Sequence, residues 1–204
     1  MDSLEHKLEA RKKDNSFRSL KNETSDLIDF SSNDYLGLAR SEELKQKILS
    51  SYQNGRWLNG ATGSRLITGS NELSSLVEDN LSAIFNSPSG LVFSSGYMAN
   101  LAIFSTLPQR GDTIIYDELS HACIKDGARL SMAKRLSFKH NSLEDLERKL
   151  KAGEGQIYVA CESVYSMDGD MAPLKDLSEL CATYNARLIV DEAHSPGVWG
   201  VHGS

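Results

Sequence analysis

The residues Asp191-Glu192-Ala193-His194 carry the side chains best suited to chemistry in this chain. They place a carboxylate and an imidazole close together, directly after the apolar run 187–190. In open parallel α/β sheets, ligands bind outside the carboxyl ends of the strands. A carboxylate at such a position can hold a buried cation, such as a protonated ring nitrogen. The alternative is a solvated aspartate followed by a loop histidine.

Other predicted strand ends also carry polar groups. Gly96 and Tyr97 follow a predicted strand at 91–94 and begin a helix, where free backbone N–H groups form a site suited to a phosphate. His121 follows a predicted strand at 113–116, at the start of the next helix. For each of these residues, a helix cap or an ordinary surface position is the alternative.

A third strand end, after 157–161, carries Glu162 and Ser166. Glu162 supplies a carboxylate, Ser166 supplies a hydroxyl that can bond a ligand oxygen, and Asp168-Gly169 indicates a turn. None of these residues is decisive alone. Their convergence on one edge of one sheet predicts a single site.

Short apolar segments alternate with helical segments from residue 90 onward. Strands are predicted at 91–94, 113–116, 135–138, 157–161 and 187–190. Helices are predicted near 4–20, 41–52, 71–85, 97–107, 120–132, 142–151 and 173–185. Ser142 with Asp145 resembles a capping box. Repeated βαβ units predict an α/β fold with a mostly parallel sheet that is covered by helices on both faces.

Composition narrows the class of protein. The 204 residues suit one domain, or one and a fraction, and the net charge of −6 favours neither nucleic acid nor an anionic membrane as a partner. The charged start 1–7 does not resemble a secretory signal, and no apolar run reaches membrane-spanning length. Cys123, Cys161 and Cys181 lack metal-ligand spacing, so we expect buried, reduced thiols, no bound metal and a cytoplasmic protein.

Six ordered blocks of the sequence resemble the α-oxoamine synthases, a family of fold-type I pyridoxal-phosphate enzymes. The blocks are Phe30–Ala39, Gly60–Gly69, Ser94–Asn100, Ser120–Gly127, Glu162–Pro173 and Val190–Gly203. The resemblance implies a three-layer α/β/α large domain that is cut off before the C-terminal domain. It also implies two parts. Residues 1–40 would form an N-terminal helix and a segment of the small domain, and residues 41–204 would form an incomplete cofactor-binding domain.

The resemblance implies pyridoxal 5'-phosphate (PLP) as the cofactor. Gly96 and Tyr97 would contact the cofactor phosphate, and His121 would stack on the pyridine ring. Asp191 would pair with the ring nitrogen, and His194 would bond the phenolic oxygen of the ring.

The remaining implied roles concern the substrate and the reacting region. Ser166 would lie near the phenolic oxygen, Glu162 near the reacting region, and Arg18 would contact the substrate. His121 would also help to position the substrate carboxylate. The implied catalytic set is His121, Glu162, Asp191 and His194.

Within the family, the blocks are most similar to enzymes that condense L-alanine with pimeloyl thioester in biotin synthesis. Condensation of serine with palmitoyl thioester, or of glycine with acetyl thioester, is the alternative.

The family also needs a lysine some thirty residues beyond Asp191, and none of the twelve lysines here has that context; Lys125 falls on a predicted helix. We therefore expect residues 1–204 alone to be inactive, and a non-catalytic remnant or binding module is the alternative of another class. The family also implies a homodimer, in which Gly60–Gly69 is the loop expected to reach the partner.

Overall fold

A computed structural model describes residues 3–20, 28–55 and 57–200. The chain divides into two units, Met1–Asn33 and Asp34–Ser204. The predicted domain boundary at residue 40 stays a prediction. The last residues of the block Val190–Gly203, and the chain end at Gly203-Ser204, lie outside the described residues.

The described residues contain seven α-helices and four strands. The helices are α1 (Ser3–Lys13), α2 (Glu42–Asn54), α3 (Glu72–Ile84), α4 (Gly96–Thr106), α5 (Ala122–Leu130), α6 (Leu143–Lys151) and α7 (Leu174–Thr183). The strands are β1 (Thr113–Asp117), β2 (Lys134–Phe138), β3 (Ile157–Glu162) and β4 (Arg187–Asp191). A short 3₁₀ helix spans Leu38–Arg40, and a single π-helical turn spans Arg65–Gly69.

The sheet has the order β2-β1-β3-β4, and every pair of neighbouring strands is parallel. Each strand after β1 is reached through one helix, which confirms the predicted βαβ pattern. The chain adds β2 on one side of β1, and β3 with β4 on the other. The topological switch point, where ligands bind in such sheets, therefore lies between β1 and β3.

Helices cover both faces of the sheet, because successive strand residues point to opposite sides. The core on one face contains Ile115, Phe138, Leu146, Val159 and Leu177, from β1 to β3 with α6 and α7. The core on the other face contains Phe104, Ile114, Ile124 and Ala160, from β1 and β3 with α4 and α5. The predicted α/β/α layering is thereby confirmed. All three cysteines are buried and free of disulfides, as expected.

The predicted strand at 91–94 is wrong. This segment forms no strand, and its three large apolar side chains are exposed. A strand needs a hydrogen-bonded neighbour, and no described strand lies beside it. The Val92 N–H instead donates to the carboxylate of Glu78 at 2.8 Å. The bonds from Arg65 and Val92 lower the pKa of Glu78 to about 2, and the segment is held by this carboxylate.

The N-terminal helix is shorter than the predicted 4–20. Helix α1 ends at Lys13, and Asn15 adopts a left-handed conformation with φ 52°. Two following N–H groups turn back to the Arg11 carbonyl at 2.9 and 3.1 Å. Asparagine tolerates this conformation better than most residues, so the helix ends here although the charged pattern continues.

The start of α6 confirms one half of the predicted capping box. The Ser142 hydroxyl accepts the Asp145 N–H at 3.2 Å. The Asp145 carboxylate accepts the Lys139 N–H at 2.9 Å rather than that of the cap residue. Within the described ranges, no helix is long and apolar enough to cross a membrane.

Helices α4 and α5 pack closely at Gly127, which generates a prediction. A Cβ on Gly127 would lie 2.9 Å from the Phe104 Cβ and 3.0 Å from the Asn100 carbonyl. We expect the full-length protein to lose stability progressively in Gly127→Ala and Gly127→Leu, with about 1–3 kcal/mol lost in the larger variant. Chemical denaturation measures this loss. Equal stability of both variants and the wild type would contradict the close packing.

Candidate active site

The carboxyl edge of the sheet brings two acidic side chains together. Glu162 ends β3 and Asp191 ends β4, and the parallel register pairs them directly. Glu162 is 5% exposed, whereas Asp191 is half-buried. Two carboxylates on adjacent strands repel each other unless other groups compensate for their charge.

Burial raises the pKa of Glu162, and the charge of Asp191 raises it further. The His121 N–H opposes this shift by donating to Glu162 Oε1 at 2.5 Å. This bond crosses the switch point, because His121 follows β1 and Glu162 ends β3. A raised pKa lets Glu162 stay protonated to higher pH than an exposed glutamate, which reduces its repulsion with Asp191.

Both oxygens of the Asp191 carboxylate have a donor. The Ala193 N–H donates to Oδ1 at 2.9 Å, and the Asn100 Nδ2 donates to Oδ2 at 2.6 Å. The first bond belongs to the turn after β4, and the second comes from α4. The carboxylate predicted to bind a cation is therefore held in one orientation.

His121 caps helix α5 and has a defined tautomer. Its Nδ1 accepts the Cys123 N–H at 3.2 Å and lies 2.9 Å from the Cys123 Sγ. Because Nδ1 acts as an acceptor, the proton of the neutral ring lies on Nε2. The ring is exposed and meets the Tyr97 ring edge-on, with centroids 6.2 Å apart.

The N-terminus of α4 offers room for an anion. Ser95 caps the helix by accepting the Met98 N–H, while the earlier N–H groups of the first turn have no intrahelical partner. A Cβ added to Gly96 would meet no protein atom within 4 Å. The Tyr97 hydroxyl donates to Asp126 at 2.6 Å, which holds its ring beside the helix start.

His194 is half-buried, and its Nδ1 lies 2.8 Å from the Tyr35 hydroxyl. The two rings meet edge-on at a centroid distance of 6.1 Å. With Nδ1 engaged by Tyr35, Nε2 is the nitrogen left to face a ligand. The predicted role of His194 stays a prediction.

One predicted site residue, Ser166, has no hydrogen bond to this cluster in the described part of the chain. Ser166 lies in an exposed turn between β3 and α7. Arg18 is an exposed residue of the unit Met1–Asn33. Their predicted contacts with cofactor and substrate stay predictions.

Sequence reasoning missed three residues that contact the predicted site: Tyr35, Asn100 and Cys123. Asn100 lies one turn after Gly96 on α4, a spacing that places both on one side of the helix. Asn100 is a polar amide among the mostly apolar residues of α4, and this contrast is the signal that could have identified it. The contact of Tyr35 with His194 spans 159 residues, and no local pattern indicates it.

A second cluster of polar side chains surrounds His140, in the segment that follows β2. The His140 Nδ1 lies 2.9 Å from the fully buried Asp117, and its Nε2 lies 2.7 Å from Asp170. Its backbone N–H donates to Glu118, and its ring packs edge-on against Tyr165 with centroids 4.5 Å apart. His140 thereby connects the segments that follow β1, β2 and β3.

The charge of His140 generates a prediction on pH. Burial lowers its pKa, but the hydrogen bonds and charges of Asp117 and Asp170 outweigh burial, so the net pKa is raised. Its stabilising effect is therefore complete below the ordinary pKa of about 6.5 and is lost as the pH rises through the raised value. We expect the stability difference between wild type and His140→Gln to shrink from pH 6 to pH 9 in denaturant titrations of the full-length protein.

The matched control for this prediction is the exposed His6 of α1. His6→Gln changes the same residue type away from the cluster and should show no such pH dependence. A constant difference between wild type and His140→Gln over the whole range would contradict the charged state of His140.

The sequence of this chain matches a known protein family. Residues 25–203 match the model of aminotransferase class I and II. The 8-amino-7-oxononanoate synthase of Emericella nidulans is 40% identical over 100% of this chain and 53% of its own length. The chain spans about half the length of the curated relatives that it matches.

Solved structures agree with this comparison. A serine palmitoyltransferase from S. paucimobilis with bound PLP and myriocin has a TM-score of 0.84 and 31% identity, over 99% of this chain and 56% of that one. The 8-amino-7-oxononanoate synthase of Francisella tularensis has a TM-score of 0.72 and 34% identity, over 88% and 49%. The chain belongs to the aminotransferase class I and II family, and its relatives there are PLP-dependent α-oxoamine synthases.

Proposed function

We propose that the complete protein condenses L-alanine with pimeloyl thioester, with loss of carbon dioxide and free thiol, as a step of biotin synthesis. The observation that carries this proposal is the Asp191 carboxylate, held by two donors beside His121 at the carboxyl edge of the sheet. The names of the curated relatives support the choice of substrates. Since the chain covers about half of these relatives, the proposal concerns the whole protein.

The residues present fit the cofactor of this family. Bound PLP supplies an electron-withdrawing ring that stabilises negative charge on the α-carbon of an amino acid. Gly96 leaves open space at a helix N-terminus, which suits a phosphate. Asp191 supplies the carboxylate for a protonated ring nitrogen, and His121 supplies a flat ring. We assign the phosphate to Gly96 and Tyr97.

Asp191 would keep a proton on the ring nitrogen. A carboxylate about 4 Å from a cation contributes roughly 4 kcal/mol at an effective dielectric constant of 20. This energy corresponds to a rise of about three units in the pKa of the ring nitrogen. The proton is needed because only the protonated ring withdraws electrons strongly.

The other residues would orient the reactants. His121 would stack on the pyridine ring and help to position the substrate carboxylate. His194, with Ser166 nearby, would bond the phenolic oxygen through Nε2, because Tyr35 engages Nδ1. Glu162 would lie near the reacting region, and Arg18 would contact the substrate.

The phosphate assignment generates a prediction on Gly96. Its backbone φ is not positive, and an added Cβ meets no protein atom. We expect Gly96→Ala to leave the stability of the apo protein unchanged and to weaken PLP binding by roughly tenfold, about 1.4 kcal/mol. Fluorescence titration of the apo protein with PLP measures the affinity, and unfolding measures stability. Unchanged affinity would contradict a phosphate at this helix start.

The covalent attachment of the cofactor generates a second prediction. None of the twelve lysines in residues 1–204 lies in the sequence context that the family's cofactor-binding lysine has. Lys125 lies on α5, and its Nζ donates to the Glu118 carbonyl at 2.7 Å. We expect the full-length protein to be yellow, and borohydride to fix the cofactor to a lysine outside residues 1–204. Peptide mapping identifies that lysine. Residues 1–204 alone should show no turnover, and a fully labelled lysine within them would overturn this proposal.

The choice of substrates generates a third prediction. Serine with palmitoyl thioester is the alternative, because serine palmitoyltransferases are among the similar structures, and glycine with acetyl thioester is a further one. Assays of the full-length enzyme with alanine, serine and glycine against pimeloyl, palmitoyl and acetyl thioesters decide between them. We expect the highest kcat/KM for alanine with pimeloyl thioester. A preference for serine with palmitoyl thioester would refute the proposed substrates.

We further propose a cytoplasmic homodimer. The loop Gly60–Gly69 exposes Leu66 and Ile67 almost completely, and exposed apolar side chains favour contact with another chain. Active sites built at the interface of symmetric dimers receive residues from both subunits. Light scattering of the full-length protein tests the dimer, and cell fractionation tests the location.

A further inference from the structure

The carboxylate predicted to bind the ring nitrogen is oriented by a residue that the proposed mechanism does not yet use. Asn100 lies in the middle of α4 and is 8% exposed. Its Nδ2 donates to Asp191 Oδ2 at 2.6 Å and to Cys123 Sγ at 3.3 Å. Both hydrogens of the amide are therefore engaged.

The orientation of this amide follows from its partner. An ionised carboxylate can only accept hydrogen bonds, so the nitrogen of Asn100, and not its oxygen, must face Asp191. Asparagine is a weak helix former, and burying its amide costs free energy unless it is hydrogen-bonded. Helix stability alone therefore does not explain an asparagine at this position.

Asn100 also connects Asp191 to His121. The Cys123 Sγ receives a hydrogen from Asn100 and lies 2.9 Å from the His121 Nδ1. Cys123 is 2% exposed, and burial raises the pKa of its thiol, which keeps the proton on sulfur. The S–H can then donate to Nδ1, which agrees with the acceptor role of that nitrogen.

We propose that Asn100 is a positioning residue that fixes the Asp191 carboxylate for the cofactor ring nitrogen and, through Cys123, holds the His121 ring. This proposal rests on the proposed function. Asn100 acts through its neighbours and is not assigned a contact with the cofactor. Its neutral amide supports a negative charge on Asp191 without removing it.

Two variants of the full-length protein test the proposal. Asn100→Ala removes both donors, and we expect about a tenfold or greater loss of PLP affinity, because a hydrogen bond to a charged group is removed. Asn100→Asp keeps the size of the side chain but puts a second carboxyl group against Asp191. Its PLP affinity should fall further as the pH rises from 5 to 8, whereas the loss in Asn100→Ala should vary little with pH.

The ionisable groups around this position are Asp191, Glu162, His121 and Cys123, and all of them are unchanged in both variants. The pH dependence that only Asn100→Asp shows is therefore assigned to the introduced carboxyl group. Thr106→Val is the matched control, since it removes a hydroxyl on the same helix that, among the described residues, bonds only the Ala102 carbonyl. It should bind PLP like the wild type.

The measurements are PLP titrations of the apo proteins, the visible spectrum of the bound form against pH, and denaturant unfolding of each apo variant. Folded Asn100 variants that bind PLP with wild-type affinity and spectrum would overturn the proposal. Equal losses at every pH in both variants would reduce Asn100 to a structural residue and also overturn it. If the wild type itself binds no PLP, the proposed function fails instead.

Discussion

The parallel register between β3 and β4 is the constraint on which the site depends. It sets Glu162 directly beside Asp191, so two carboxyl groups share one edge of the sheet. The backbone positions of both residues are fixed, because each ends a strand whose inner residues are packed on both faces. The surrounding residues must therefore compensate for two adjacent negative charges.

The structure meets this requirement in a different way for each carboxyl group. Glu162 is buried, which raises its pKa above the ordinary value, and it accepts one backbone N–H, that of His121. Asp191 is half-buried and accepts two hydrogen bonds, one of them from the Asn100 amide. Two carboxyl groups with different environments can perform different tasks at one site.

A third acidic residue, Asp117, lies at the carboxyl edge of the sheet, at the end of β1. It is fully buried and bonds His140, the Asn141 N–H and the Leu119 N–H. His140 extends this network to Asp170, in the segment that also carries Ser166. A site made of loops acquires a fixed geometry in this way, because charged side chains connect the loops to the core of the sheet.

The sequence by itself determined the four parallel strands and the α/β/α layering, and it indicated that Glu162, Asp191 and His121, which the structure brings together, lie at strand ends. Periodicity and strand-end polarity are local signals, and they located β1 to β4 within one residue at each end. The tertiary structure alone decided that 91–94 is no strand, because a strand exists only with a neighbour. It also decided that Asn100, Cys123 and Tyr35 contact the predicted site residues. The contacts of Asn100 and Tyr35 join distant parts of the chain, Asn100 to Asp191 across 91 residues and Tyr35 to His194 across 159, and only packing in three dimensions brings such groups within hydrogen-bond distance.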